Sequence, residues 1–308
     1  MDNKMSLLPN FPIQNPHSIA KQVFDLRDVS EETRKDYKYR VSLFLHFVRG
    51  SGNGINVNSY LEFKRHLADK NNYSVSTKNK YLAAAKIFLK ELNRRLILPA
   101  DITLNIKSFS QDKKHKKEGI TSEEMSRLIL RLKDLPSTPQ SARLKALLAL
   151  LALQGLRQIE ITRLNVGDLD LVAKLAFIHG KGRDDKEPVS LHPETVKTLK
   201  EYLKISKVAD GPLFTSISNY HKNGRLTTRA VRKIIVKLLK ELGIEKSVHG
   251  FRHYFTTTLI KTYKGDLLEV AQYTRHKGLE MLQVYNDAIK READLPRFYS
   301  AFDGLSFD

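Results

Sequence analysis

Residues 110–119 read SQDKKHKKEG and carry no apolar side chain. Such a segment cannot run through a core without stranding charged groups away from water. The chain must therefore bury its apolar residues in two bodies, one on each side. Its 308 residues suit two domains of roughly 150 residues each. The expected organisation is an N-terminal extension over 1–28, a helical domain over 29–109, a basic linker over 110–119, a second domain over 120–290 and a tail over 291–308.

Periodicity predicts mostly helix. SEETRKDYKYRVSLFLHFVRGSG places Tyr37, Val41, Phe44, Leu45 and Val48 on one stripe behind the N-cap candidate Ser30 and ends at Gly50 and Gly52. Residues 57–69 and 74–95 read as two further helices, the second capped near Ser76. All three present basic residues opposite the apolar face. Residues 1–28 hold several prolines and little periodicity. After the linker, TSEE (121–124) is a capping box. Residues 141–164 form a long, apolar, central segment. LAFIH, a charged Gly-containing turn and EPVSLH (175–192) signal a β-hairpin. Five more helical patterns follow. The fold class is mainly α, with one small antiparallel β-sheet in the second half.

Lys plus Arg number 53 against 34 for Asp plus Glu, a net charge of +19. Residues 1–110 carry net +8 and the remainder +11, so no single tail accounts for the excess. A polyanion touching both halves does, with nucleic acid ahead of an anionic membrane surface. The basic residues are not gathered on one amphipathic helix, which argues against the membrane. No cysteine is present, so disulfides, thiolate metal sites and cysteine catalysis are excluded. The N-terminus lacks the apolar stretch of a signal peptide, and no apolar run approaches the ~20 residues that span a bilayer. These features predict a cytoplasmic protein.

The chemistry-bearing positions look ordinary one at a time. Arg157, in GLRQIEITRL, has Glu160 one turn on to orient it; alone it reads as a salt-bridged arginine. Lys181 sits between two glycines in the hairpin turn, without P-loop spacing. His249 and Arg252 are three apart and share a helix face, and His253 follows. His276 precedes the last helix. Tyr285 has the spacing of a core aromatic. Asp184 and Asp185, the one acidic doublet near these positions, read as a solvated turn rather than metal ligands.

The ordered set Arg157, Lys181, His249-x-x-Arg252, His276, Tyr285 resembles the tyrosine recombinases, the phage-type integrases and Xer-type recombinases. GLRQIEITRL looks like that family's first arginine box, HGKGRDDKEPVSLH like its hairpin lysine, HGFRHYFTTTLI like its H-x-x-R-H box, and TRHKGLEMLQVYND like its last histidine with the nucleophilic tyrosine nine residues on. The likeness covers about residues 120–290 and more weakly 30–105. One departure stands out: the family's usual Leu-Gly before the last histidine is Thr274-Arg275 here, adding bulk and charge beside His276.

The resemblance implies a site-specific recombinase that cuts and rejoins double-stranded DNA at inverted-repeat sites through a 3′-phosphotyrosyl link. It implies a homotetramer on two sites, with the apolar C-terminal tail (Leu295, Phe298, Tyr299, Phe302, Leu305, Phe307) docking on a neighbour; the plain alternative is that the tail packs on its own protomer. No cofactor and no metal are expected. Elementary chemistry agrees. Two guanidiniums can hold the non-bridging oxygens of a phosphodiester under attack. A phenol of pKa near ~10 is ionised about one time in a thousand at neutral pH; cations lower the cost of phenolate, and His249 is placed to take the proton. Lys181 can protonate the leaving oxygen, and His276 can bond a non-bridging one. A topoisomerase-like relaxing enzyme and an inactive architectural DNA-binding protein are the competing readings.

Overall fold

A computed structural model describes residues 16–51, 54–111, 119–180, 182, 185–216, 224–276 and 278–301. The chain divides into two compact units, residues 1–112 and 113–308.

The first unit is helical: α1 (Pro16–Asp25), α2 (Glu31–Gly50), α3 (Ser59–Ala68) and α4 (Val75–Arg94). Ser30 caps α2 by accepting the Thr33 amide. The cap of α4 is Ser74, whose side chain accepts the Thr77 amide, two residues before the expected Ser76. Val41, Phe44, Leu45 and Val48 of α2 bury against Phe63 and Leu67 of α3 and Leu82, Phe88 and Leu92 of α4. The proline-containing start also forms a helix: α1 adds Ala20, Val23 and Phe24 to the same core. Ile19, Ala20, Val23 and Phe24 do have helical spacing, but within ten residues that follow a proline-rich start.

The second unit runs α5 (Ser122–Lys133), α6 (Pro139–Ala152), α7 (Gln158–Arg163), a 3₁₀ turn (Val166–Asp168), β1 (Leu169–Asp170), β2 (Leu175–His179), β3 (Lys186–Ser190), α8 (Pro193–Ser206), α9 (Thr228–Glu241), α10 (His249–Thr262), α11 (Leu267–Thr274) and α12 (Glu280–Ser300). The capping box forms as read: Thr121 accepts the Glu124 amide and Glu124 reaches back to the Thr121 amide. The strands make an antiparallel sheet in the order β1-β2-β3, with Ala176 opposite Val189 and Ile178 opposite Glu187. The short β1 was not anticipated, since two residues carry no alternation. The main core gathers around α6, whose Ala146, Leu147, Leu150 and Leu151 are buried. A smaller cluster of Ile260, Val270, Leu282 and Tyr285 joins α10, α11 and α12. Among the described residues no helix is long and apolar enough to cross a membrane.

Candidate active site

The apolar segment 141–164 is broken where the site begins. Helix α6 stops at Ala152 and α7 starts at Gln158, with Gly155 between them at φ +57. A Cβ there would lie 2.3 Å from the Phe255 ring, so both conformation and contact require glycine. The turn frees the Gly155 carbonyl to face α10 and puts Arg157 at the N-cap of α7. Glu160, buried at 1 % exposure, accepts the Arg157 backbone amide at 2.8 Å on one oxygen and Arg157 Nη1 at 2.8 Å on the other. The guanidinium is thereby fixed while about a third of its side chain stays accessible.

Helix α10 begins at His249, so His249 and Arg252 share its first turn. Both line a cleft of about 310 Å³ with Arg157, Leu156, Thr228 and Val248. Arg252 is 3 % exposed. It donates from Nη1 to the Gly155 carbonyl and from Nη2 to the Thr274 carbonyl, each at 2.6 Å. Burial, then the charges of Arg157 and Arg275, push its pKa down to about 10, which still leaves it a cation at neutral pH.

The turn after α11 brings in His276. Its Nδ1 lies 2.7 Å from Thr274 Oγ1. Burial and the charges of Arg252, Arg157 and Arg275 lower its pKa to about 4, so the ring is neutral at physiological pH. A neutral ring whose Nδ1 accepts from the threonine hydroxyl presents an Nε2–H donor.

Helix α12 supplies Tyr285, 8 % exposed. Its hydroxyl is 2.6 Å from Nδ1 of His253, and the His253 ring meets His249 edge-on with centroids 4.7 Å apart. Arg252 lies near enough to lower the phenol's pKa, but burial outweighs it and holds the phenol up at about 12. The cationic field thus acts in the expected direction and loses to desolvation.

Arg157, His249, Arg252, His276 and Tyr285 are brought together. Lys181 lies outside the described residues, as do Asp184 and the tail residues Phe302, Leu305 and Phe307. Two side chains at the site went unassigned in the sequence. His253 meets the phenol hydroxyl; the H-x-x-R-H spelling held that signal, because His249 and His253 are four apart on one helix. Arg275 is 5 % exposed by side chain and pairs with Glu160 at 2.8 Å, a contact across 115 positions that no local pattern shows.

Residues 118–292 match the phage integrase family. The chain is 28% identical over 291 residues to the tyrosine recombinase XerD of Oceanobacillus iheyensis, covering 90% of this chain and 93% of that protein. It is 30% identical to a tyrosine recombinase of Synechococcus elongatus, covering 74% and 72%. Among solved structures, XerH recombinase bound to a palindromic difH substrate in a post-cleavage complex superposes with a TM-score of 0.74 at 19% identity, over 92% of this chain and 84% of that one. A lambda integrase dimer on a COC′ core site superposes at 0.69 and 13%, over 95% and 99%, and so shares the fold. With the matched segment spanning the whole helix, hairpin and helix frame that carries these side chains, the chain belongs to the phage integrase family of tyrosine recombinases.

Proposed function

We propose that this chain recombines duplex DNA at specific sites, breaking and rejoining strands through Tyr285. The gathering of two fixed guanidiniums on one cleft, with a neutral histidine and a phenol close enough to feel the charge of Arg252, carries the reading. Tyr285 Oη attacks the scissile phosphorus in line as the P–O5′ bond breaks. The phenol proton passes to His253, the ring already hydrogen-bonded to it, with His249 packed behind. Because burial keeps the phenol near 12, proton removal accompanies attack rather than preceding it. Arg157 and Arg252 hold the non-bridging oxygens as charge develops, and His276 donates a hydrogen bond to one of them. Lys181 gives a proton to the departing 5′-oxygen. The product is a 3′-phosphotyrosyl diester with a free 5′-hydroxyl. Attack by a 5′-hydroxyl reverses the step and returns the proton to the lysine, so no nucleotide hydrolysis is needed.

The partner is double-stranded DNA at inverted-repeat sites, bound by four protomers on two sites in the cytoplasm. Net charge of +8 before residue 111 and +11 after it supports contact of both units with the duplex. The end of α12 supports exchange between protomers: Leu295, Phe298 and Tyr299 are 37%, 55% and 60% exposed on a helix with no buried face beyond residue 290. The deciding experiment uses a nicked suicide duplex built on the site the protein selects from a random DNA pool. The parent should form a covalent adduct, and Tyr285→Phe should form none while binding the duplex equally well. An adduct formed by the Phe variant would move the nucleophile elsewhere.

A further inference from the structure

Arg275 occupies a left-handed turn at φ +56, a conformation that suits glycine and costs an L side chain energy. Its guanidinium is nevertheless drawn inward, between two carboxylates from different elements. Nη2 lies 2.8 Å from Glu160 Oε2 and Nε lies 3.3 Å from Glu187 Oε1 on β3. The Glu187 contact is a charge contact only: among the described residues neither Nε nor Nη1 has a hydrogen-bond acceptor. A strained, buried arginine with unsatisfied nitrogens is not an economical way to stabilise a fold.

The Glu160 carboxylate explains what it achieves. Oε1 holds the Arg157 guanidinium, and Oε2 receives both the Arg157 amide and Arg275. With Arg275 in place the carboxylate cannot rotate, so the side chain that aims Arg157 is itself fixed. Glu187 anchors Arg275 to the sheet from the other side. The preceding residue, Thr274, lends its carbonyl to Arg252 and its hydroxyl to His276. One three-residue turn therefore contacts Arg252, carries His276 and reaches Arg157 through Glu160.

We propose that Arg275 is a positioning residue for DNA cleavage: by bridging Glu160 and Glu187 it fixes the carboxylate that aims Arg157 at the scissile phosphate. The inference rests on the reading that Arg157 neutralises that phosphate.

The test is single-turnover cleavage of two suicide duplexes on the selected site. One has an ordinary scissile phosphodiester; the other has a methylphosphonate, whose missing charge removes the need for a well-placed guanidinium. Arg275→Gly relieves the backbone strain as it deletes the guanidinium, and Arg275→Lys keeps a charge that cannot span both carboxylates. On the phosphodiester, the Gly variant should be slower by about 10–10²-fold, with the Lys variant between it and the parent. On the methylphosphonate both deficits should shrink towards the parent's rate. Glu187→Gln should show a smaller deficit of the same kind, and none beyond that of Arg275→Gly when the two are combined. Equal deficits on both duplexes would reduce Arg275 to a structural role. An unchanged Glu187→Gln, or a deficit that adds in full to that of Arg275→Gly, would mean that Arg275 acts without its anchor; either overturns the proposal. Arg157→Lys reports separately on the underlying reading: if it cleaves the phosphodiester as fast as the parent, the assignment of Arg157 fails first.

Discussion

Arg252 and Tyr285 lie close enough for the charge of one to act on the phenol of the other, and they are held in opposite ways. Arg252 is fixed by two backbone carbonyls, Gly155 and Thr274, that belong to turns on either side of it. Tyr285 hangs from α12 by a hydroxyl contact to His253, within a cluster of only four buried apolar residues. The charge-stabilising half is pre-organised by the chain itself, in the manner that makes electrostatic catalysis effective. The nucleophilic half is sequestered: buried, protonated, and on the helix whose last third is exposed. On the roles proposed for these residues, the difference describes a permanent phosphate cradle beside a nucleophile held in protonated form.

The largest effect that tests this comparison falls on the cradle. Arg252→Lys retains a charge but cannot reach two carbonyls at once. It should slow single-turnover cleavage by about 10²–10³-fold with duplex affinity nearly unchanged. A loss below tenfold would show that the fixed geometry contributes little.

The nucleophilic half is tested by its base. His253→Gln should slow cleavage by about 10²-fold, more than His249→Gln does, because His253 is the ring in contact with the phenol. The reverse order, read at several pH values, would return the proton acceptor to His249.

The contrast between these two halves also describes what the sequence made visible. Features built from neighbours were legible: the Thr121–Glu124 capping box, the β2–β3 hairpin, and Arg157 oriented by Glu160 one turn on. Features built from distant contacts were not. The break in the apolar segment at Gly155 depends on Phe255 standing 100 positions away. The choice of His253 over His249 depends on where α12 packs. The burial of Arg275 depends on Glu160 and Glu187, and sequence could show only that a charged residue stood where glycine is usual. Helix α12 also continues through Pro296 to Ser300, into the expected tail over 291–308, on an exposed segment where water can satisfy the carbonyl that proline leaves unbonded.

A smaller effect appears in acid. The folded chain holds His276 neutral down to about pH 4, while the unfolded chain takes up a proton on that ring below its ordinary value of 6.5. Stability from this group is thus complete above 6.5 and falls as pH drops towards 4. His276→Gln cannot bind that proton, so its melting temperature should decline less steeply than the parent's between pH 6.5 and 4, by on the order of a few degrees. Parallel curves would show that the folded ring takes up its proton over the same pH range as the unfolded one, and the shift attributed to burial would be lost.

The smallest effect on stability should come from the end of α12, and its smallness is the point. The rings of Phe298 and Tyr299 lie with centroids 5.8 Å apart at a tilt of 57°, and Leu295 lies one turn before them. All three are exposed, so replacing them by serine removes little buried apolar area from this chain. Folding stability should change by less than about 0.5 kcal/mol, and a lone protomer should bind its half-site as before. Assembly of several protomers on DNA, followed by native gel shift, should weaken markedly, since three adjacent apolar side chains on a helix end are suited to burial against a partner. A drop in melting temperature with assembly intact would instead place these residues on their own protomer, and α12 would then hold Tyr285 more firmly than the present contrast allows.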